Sequence, residues 1–472
     1  MNIAKSYENT QKLLEKHGQS HLFAFWDDLE EIQKRNLLEQ IRRLDFAKIN
    51  EWIAEFIKKP NSVAISPELD PVPSYRPEPK DYEQARKYTE AIELGKELIS
   101  RGKVAAFVVA GGQGTRLGFD GPKGDFPISP VRNKTLFQIF AEHIATVSSR
   151  YQAVCPWYIM TSPLNHDQTV EIFRSNDYYS LGKENVFIFQ QGTLPNFGTD
   201  GKILLSDKAT IACSPNGHGG SFKALYQSGA VEDMKRRGVE FMSYWQVDNP
   251  LIKIFDPLFI GLHVLDKAEM SSKTLIKNNP KEKVGNFCLV NGKVTVIEYI
   301  DLPDELAFKQ NQDGSFVFEL GSIAIHIINR TFVEKLNAGG LSLPLHRAVK
   351  KILHLDEHGN QIESEGIKLE SFVFDGLPLA SNSIILQILR SEEFAPTKNA
   401  TGIDSAVSAR QMMVDRAAHW LESAGVTVPR RDDGSPDCLL EIAPSFALEK
   451  DDIKAKLNQI PTIKPKDKLY LE

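Results

Sequence analysis

The chain predicts an α/β fold, a mixed but largely parallel sheet covered on both faces, with a helical region before it and a small domain after it. Three observations carry this. Apolar segments too short for helices alternate with segments of helical period. The run Val104 to Val109 is apolar without alternation, as in a strand buried on both faces. That run ends on Gly111, Gly112 and Gly114, where missing Cβ atoms let a ligand approach the backbone.

Taken in order, Ser6 to Lys58 is helical, with Leu29, Ile32, Leu37, Leu38 and Ile41 and later Ile49, Trp52, Ile53 and Phe56 at threes and fours. Asp27 with Glu30 resembles a capping box. Six prolines between Lys59 and Lys80 predict a linker without regular structure. A helix over Asp81 to Ser100 delivers the chain into the Val104 strand. Beyond the glycines, helices are expected at Thr135 to Ser149, Leu164 to Arg174 and Ser221 to Arg237, and strands at Trp157 to Thr161, Val186 to Gln190 and Glu240 to Val247. Phe287 to Val290, the turn Asn291-Gly292 and Lys293 to Tyr299 predict an inserted antiparallel layer. From Arg410 a helix to about Ala424 and short strands make the last domain. The expected division is 1–100, 101–400 and 401–472.

At 472 residues the chain exceeds one core, and 42% hydrophobic residues are ample for two or three. A net charge of -6 argues against nucleic acid or an anionic membrane as partner. Cys155, Cys213, Cys288 and Cys438 form no C-x-x-C pair, the start lacks an apolar h-region, and no apolar run is long enough to span a bilayer. A soluble cytoplasmic protein is expected.

Arg116 and Lys123 follow the glycines, with no acidic residue between Gly111 and Phe119. Bare amides and two cations favour polyphosphate oxygens. The dinucleotide fingerprint fails, because Leu117 stands at the third glycine position and Gly118 falls one residue late. A Walker loop fails too, because Lys123 is followed by Gly124 without a hydroxyl residue. Ligands bind outside the carboxyl ends of such strands, which predicts one rim shared by Gly111 to Lys123, Gln191, Pro215 to Gly220 and Asp248. Asp248, at a strand end, can hold magnesium bridging phosphates, or simply cap an Asx turn. His218, among Gly217, Gly219 and Gly220, can meet a base or sugar. Phe372 and Phe374 have the spacing of one strand face. Lys398 alone reads as a surface lysine.

Together the stretches VVAGGQGTRLGFDGPKG, YIMTSP, LPNFG, SPNGHGGSFKAL, QVDNPLIKIFDPLFIG, NPKEKVGNF, VIEYID, GSIAIH, GIKLESFVFDG and EEFAPTKNA resemble the eukaryotic-type UDP-N-acetylglucosamine pyrophosphorylases, among the UTP-dependent sugar-1-phosphate uridylyltransferases. CLLEIAPSF is similar to their carboxy-terminal domain. The resemblance implies a glycosyltransferase-A-like nucleotide domain, a magnesium-dependent reaction, and UTP and a sugar 1-phosphate as partners. It implies that Ala110, Gly111, Gly112, Gln191 and Gly217, with Gly114 in the same loop, seat the nucleotide. Arg116, Lys123 and Lys398 would contact phosphates, Gly285, Glu298, Phe372 and Phe374 would line the sugar pocket, and Asp248 would lie near the metal. Two positions depart from the pattern. His218 replaces the third residue of NGNGG, as in the UDP-glucose and broad UDP-sugar enzymes, and Ser322 replaces an Asn expected at the sugar. VIEYID, the FVFD run and the TKNA loop stand closer to the acetylglucosamine branch. A UDP-glucose-type enzyme, or a nucleotide-sugar sensor on the same fold, is the alternative.

Overall fold

The apolar run Val104–Val109 is a strand inside a sheet that has ten strands among the described residues. These coordinates of the protein come from a computed structural model that describes residues 3–58, 69–340 and 343–472. Across the sheet the order is Leu69–Asp70, Gly285–Val290, Leu320–Asn329, Phe241–Gln246, Val104–Val109, Trp157–Thr161 and Val186–Gln190. The last four are mutually parallel. Leu320–Asn329 runs antiparallel to Phe241–Gln246 and also pairs Met270–Ile276. The parallel strands are buried because helices Leu136–Tyr151, Pro257–Leu265 and Tyr82–Ser100 contribute Phe140, Ile260 and Ile99 to one core with Val108 and Trp245.

Local capping fixes where helices start. Asp81 accepts from Gln84 N–H at 2.8 Å and Thr135 from Gln138 N–H at 3.2 Å, each satisfying an orphan amide of the first turn. The capping box near residue 30 differs from the expected one. Trp26–Asp28 is a 3-10 turn, and the pair is Glu30 with Gln33, whose Oε1 accepts the Glu30 N–H at 2.9 Å ahead of helix Glu31–Arg42. Ser221 to Arg237 is two helices, Ser221–Gln227 and Ala230–Arg237, because Gly229 between them sits at φ +83°. The expected linker is only partly irregular. Leu69 and Asp70 pair Val290 and Leu289, and residues 59–68 of that stretch lie outside the described residues. The hairpin Gly285–Val290 with Lys293–Ile297 turns at Asn291 and Gly292, both at positive φ, as the dipeptide predicts. It is no separate layer, since Gly285 pairs Ser322 within the main sheet.

The chain divides into two compact units. The first holds the described residues of Met1–Ser66, Gly192–Gly220 and Leu343–Val373. Its helices Ile3–Lys16 and Glu31–Arg42 share a core with Phe197, Ile211 and Ile367. Gln40 ties helix to sheet, donating to Ala209 O at 2.9 Å and accepting from Ile211 N–H at 3.0 Å. The second holds the described residues of Pro67–Gln191, Ser221–Ser342 and Phe374–Glu472. Within it helix Ala406–Ser423 and the parallel strands Leu439–Ile442 and Lys468–Leu471 build a core of their own around Trp420, Leu421 and Leu440.

His263, fully buried in the second unit, is neutral. Its Nδ1 lies 2.7 Å from the Ser271 hydroxyl and its Nε2 2.7 Å from Asn329 Oδ1. Since Oδ1 can only accept, the proton sits on Nε2. Burial lowers its pKa to about 4, against a smaller raising contribution from Asn329. An unfolded histidine takes up its proton below about pH 6.5, so this group's stability contribution is present at neutral pH and falls as pH drops toward 4. Between pH 7 and 5 the loss is about 2 kcal/mol. His263→Asn should therefore flatten the pH dependence of the urea midpoint over that range; an unchanged slope contradicts the assignment.

Candidate nucleotide-handling site

The carboxyl ends of the parallel strands are tied together before any side chain acts. Ala110 N–H donates to Met160 O at 2.7 Å, Val247 N–H to Val109 O at 3.1 Å and Gln191 N–H to Thr161 O at 2.8 Å. Gly111 follows Ala110, and a Cβ built on it would stand 2.7 Å from Gln191 Oε1. The loop folds back through Gly114 N–H to Gly121 O at 2.9 Å and Lys123 N–H to Gly112 O at 3.0 Å. Gly114 is buried, and its missing Cβ leaves room for the Phe119 ring at 2.7 Å. Around Gly112 the space is open to 4 Å.

Asn165 holds this loop from beneath, its Nδ2 donating to Ala110 O at 2.8 Å and to Gly112 O at 3.2 Å. Nothing in the sequence singled out Asn165, one neutral amide in the loop after the Trp157–Thr161 strand.

Asp248 and Lys398 meet in the same unit. The Asp248 carbonyl accepts Thr397 N–H at 2.8 Å, and Asn249 locks both sides of Glu393-Phe394-Ala395, donating to Glu393 O at 2.7 Å and accepting from Ala395 N–H at 3.0 Å. Only 8% of Asp248 is exposed, yet among the described residues its carboxylate makes no hydrogen bond or ion pair. Arg116 is exposed and Lys123 and Lys398 half-buried, and none forms an ion pair among the described residues. Burial raises the pKa of the neighbouring Asp404, while Lys398 pulls it back.

A second cluster joins Gly285, Glu298 and Ser322. Built as alanine, Gly285 would place its Cβ 3.6 Å from Glu298 Oε1 and 3.7 Å from Ser322 Cβ. Lys277 stands beside it, donating to Asn286 Oδ1 at 2.5 Å, and burial lowers its pKa. Sequence reading passed over Lys277, whose only mark is its place at the mouth of the Met270–Ile276 strand.

Gly217, His218 and Phe372 lie together in the first unit. Gly217 sits at φ +82°, where any side chain is strained, and Gly219 N–H donates to Ser371 O at 2.8 Å. Val373 N–H donates to His218 Nδ1 at 3.1 Å, so the ring accepts there. The His218 and Phe372 rings stack at 5.2 Å, and Phe372 stacks on His346 at 4.5 Å. Phe372 and Phe374 do not share a strand face. The strand Gln361–Glu370 ends before them, and Val373–Leu379 is a 3-10 turn that buries Phe374 in the second unit.

A magnesium ion needs few protein ligands when phosphates supply the rest. No cluster of three metal-ligating side chains exists among the described residues. The Asp248 carboxylate, nearly buried and unpartnered among the described residues, therefore suits a metal that arrives with a nucleotide.

A parallel sheet whose strand ends carry a glycine loop, unpaired cations and a free carboxylate defines an enzyme of nucleotide phosphates. The family described as UTP–glucose-1-phosphate uridylyltransferase matches residues 55–472, and the chain belongs to it. It is 35% identical to UDP-N-acetylhexosamine pyrophosphorylase-like protein 1 of Xenopus tropicalis, over 93% of this chain and 92% of that one. It is also 35% identical to the UDP-N-acetylglucosamine pyrophosphorylase of Saccharomyces cerevisiae, over 89% and 92%. The crystal structure of the uridine diphosphate N-acetylglucosamine pyrophosphorylase of Trypanosoma brucei superposes with TM-score 0.82 at 24% identity, covering 100% of this chain and 98% of that one, which establishes the common fold. Among the described residues no helix is long and apolar enough to cross a membrane.

Proposed function

We propose that the protein joins UTP and N-acetylglucosamine 1-phosphate into UDP-N-acetylglucosamine and pyrophosphate. The observation that carries this is the trio Arg116, Lys123 and Lys398, cations on loops of the nucleotide-handling unit that form no ion pair among the described residues. An anion with several charges is the fitting counterpart. The backbone of Ala110, Gly111, Gly112 and Gly114 with Gln191 receives the nucleotide. Gly285, Glu298, Ser322 and Phe374 of the second unit receive the sugar. A phosphate oxygen of the sugar 1-phosphate forms a bond to the α-phosphorus of UTP while the bond to the β-phosphate oxygen breaks, and pyrophosphate takes that electron pair. The chain contributes positioning and charge neutralisation.

Magnesium, held at Asp248, supplies further neutralisation of phosphate charge. Asp248→Asn should then raise the magnesium concentration for half-maximal rate roughly tenfold, read by titrating magnesium at fixed UTP. An unchanged titration removes Asp248 from that role. Residues 101–400 would form the catalytic part, flanked by 1–100 and 401–472, in a cytoplasmic protein whose four cysteines are all free.

The relatives named for N-acetylhexosamine and N-acetylglucosamine favour the acetylated sugar. His218 and Ser322 favour the second reading, glucose or galactose 1-phosphate. Pyrophosphate release from UTP with the three sugar 1-phosphates in parallel decides. Fastest release with the acetylated sugar is expected; preference for glucose or galactose makes the second reading correct. No release with any sugar would leave a nucleotide-sugar sensor.

A further inference from the structure

Away from the glycine loop, the second unit surrounds a cavity of about 460 Å³. Helices Leu136–Tyr151 and Ala406–Ser423, the turn Arg390–Glu393 and the strand Leu439–Ile442 all reach it. Phe140, Ile252, Phe255, Met413, Ala417 and Trp420 give it apolar walls. Its size and lining suit one small organic ligand.

The polar side is mixed, with Lys253, Arg150 and Arg416 among carboxylates such as Asp256, Glu392 and Glu441. His143 makes no hydrogen bond among the described residues and is neutral, because burial, and then the charges of Arg416, Lys253 and Arg150, lower its pKa to about 3. Arg416 reaches the cavity with its guanidinium 5.0 Å from the Trp420 ring centroid. Its Nη1 donates to two neutral carbonyls, Leu251 O at 3.2 Å and Glu392 O at 3.1 Å. The other edge, Nε–H with Nη2–H, makes no hydrogen bond among the described residues. Burial works against the Arg416 charge and lowers its pKa to about 10, with Glu392 and Glu393 partly opposing.

The nearby carboxylates are already engaged. Glu393 pairs with Lys273 at 2.5 Å, Glu392 accepts Trp420 Nε1–H at 2.8 Å, and Glu441 accepts Val131 and Arg132 N–H, each at 2.8 Å. An open guanidinium edge beside apolar walls is a fork shaped for two oxygens of one anionic head.

We infer that this cavity is a binding site for a small organic anion, a carboxylate or phosphate head on an apolar body, with the head on the Nε and Nη2 edge of Arg416. The two carbonyls that Arg416 holds belong to the segments that continue from Asp248 and lead to Lys398.

The test is calorimetric titration of the full chain with 1-naphthoate, 1-naphthyl phosphate and the neutral 1-naphthamide, each with and without saturating UTP. At least one anion is expected to bind about tenfold or more tightly than the amide, a difference of about 1.4 kcal/mol, and UTP should not displace it. The tighter anion identifies the head group. Arg416→Met should weaken that anion at least about tenfold. Met413→Trp, which keeps Arg416 and fills the cavity, should abolish binding, and it decides the matter if the Arg416 variant does not fold. Equal binding of the amide, displacement by UTP, retained affinity in either folded variant, or no binding of either anion below about 1 mM overturns the assignment.

Discussion

Lys123→Ala is expected to lower kcat roughly 100- to 1000-fold, the scale of removing one preorganised donor from developing charge, while the fold stays intact. The backbone at this position is fixed independently of the side chain. Lys123 N–H is bonded to Gly112 O at 3.0 Å, and the next residue, Gly124, is packed so closely on Phe137 that an added Cβ would overlap the ring. The ammonium is half-buried and carries no ion pair among the described residues, so truncation leaves no protein carboxylate unpaired. An unchanged urea midpoint should accompany the loss of turnover. Lys123→Arg should recover only part of the rate, because a planar fork replaces a point charge on a different stem. A kcat for the alanine variant within about threefold of the parent would remove Lys123 from the reaction.

The parts of this site that a short, local signal specifies were legible in the sequence. Val104 to Val109 had to be a buried strand, and glycine at 111, 112 and 114 had to end it; both are local properties of composition. Gly285 and Ser322 came from resemblance alone, and the structure gives the reason they go together: they are register partners on adjacent antiparallel strands. Register across 36 intervening positions leaves no trace in either segment taken singly. Phe372 and Phe374 failed for a related reason. Alternate spacing speaks of a strand only while the chain remains extended, and after Glu370 it tightens into a 3-10 turn around Asp375 and Gly376. The hairpin His346–Leu355 with Gln361–Glu370 was not foreseen at all, because its strands are rich in charge and expose most of one face. Likewise the amino-terminal helices showed their period, but nothing in them announced that residues 192–220 and 343–373 complete their core.

Lys273→Met is expected to cost about 3–5 kcal/mol of stability, the scale of breaking a buried ion pair by removing one partner. Lys273 stands in the strand Met270–Ile276 with no side-chain exposure, its Nζ 2.7 Å from Asp256 and 2.5 Å from Glu393. Lys253 reaches Asp256 from the other side at 3.4 Å. Burial by itself would raise the Asp256 carboxyl, and the charges of Lys253 and Lys273 outweigh it, holding the group below the usual carboxylate range. With methionine at 273, two carboxylates face one remaining lysine. Glu393 then loses its ionic partner, and the segment it anchors is the one whose Thr397 N–H binds Asp248 O just before Lys398. Turnover should fall along with the midpoint. Adding Glu393→Gln to Lys273→Met removes the uncompensated charge, so the double variant should be more stable than the single one. A Lys273→Met midpoint equivalent to within about 1 kcal/mol of the parent, or a double variant less stable than the single, would show that the buried ions do not hold the loop in place.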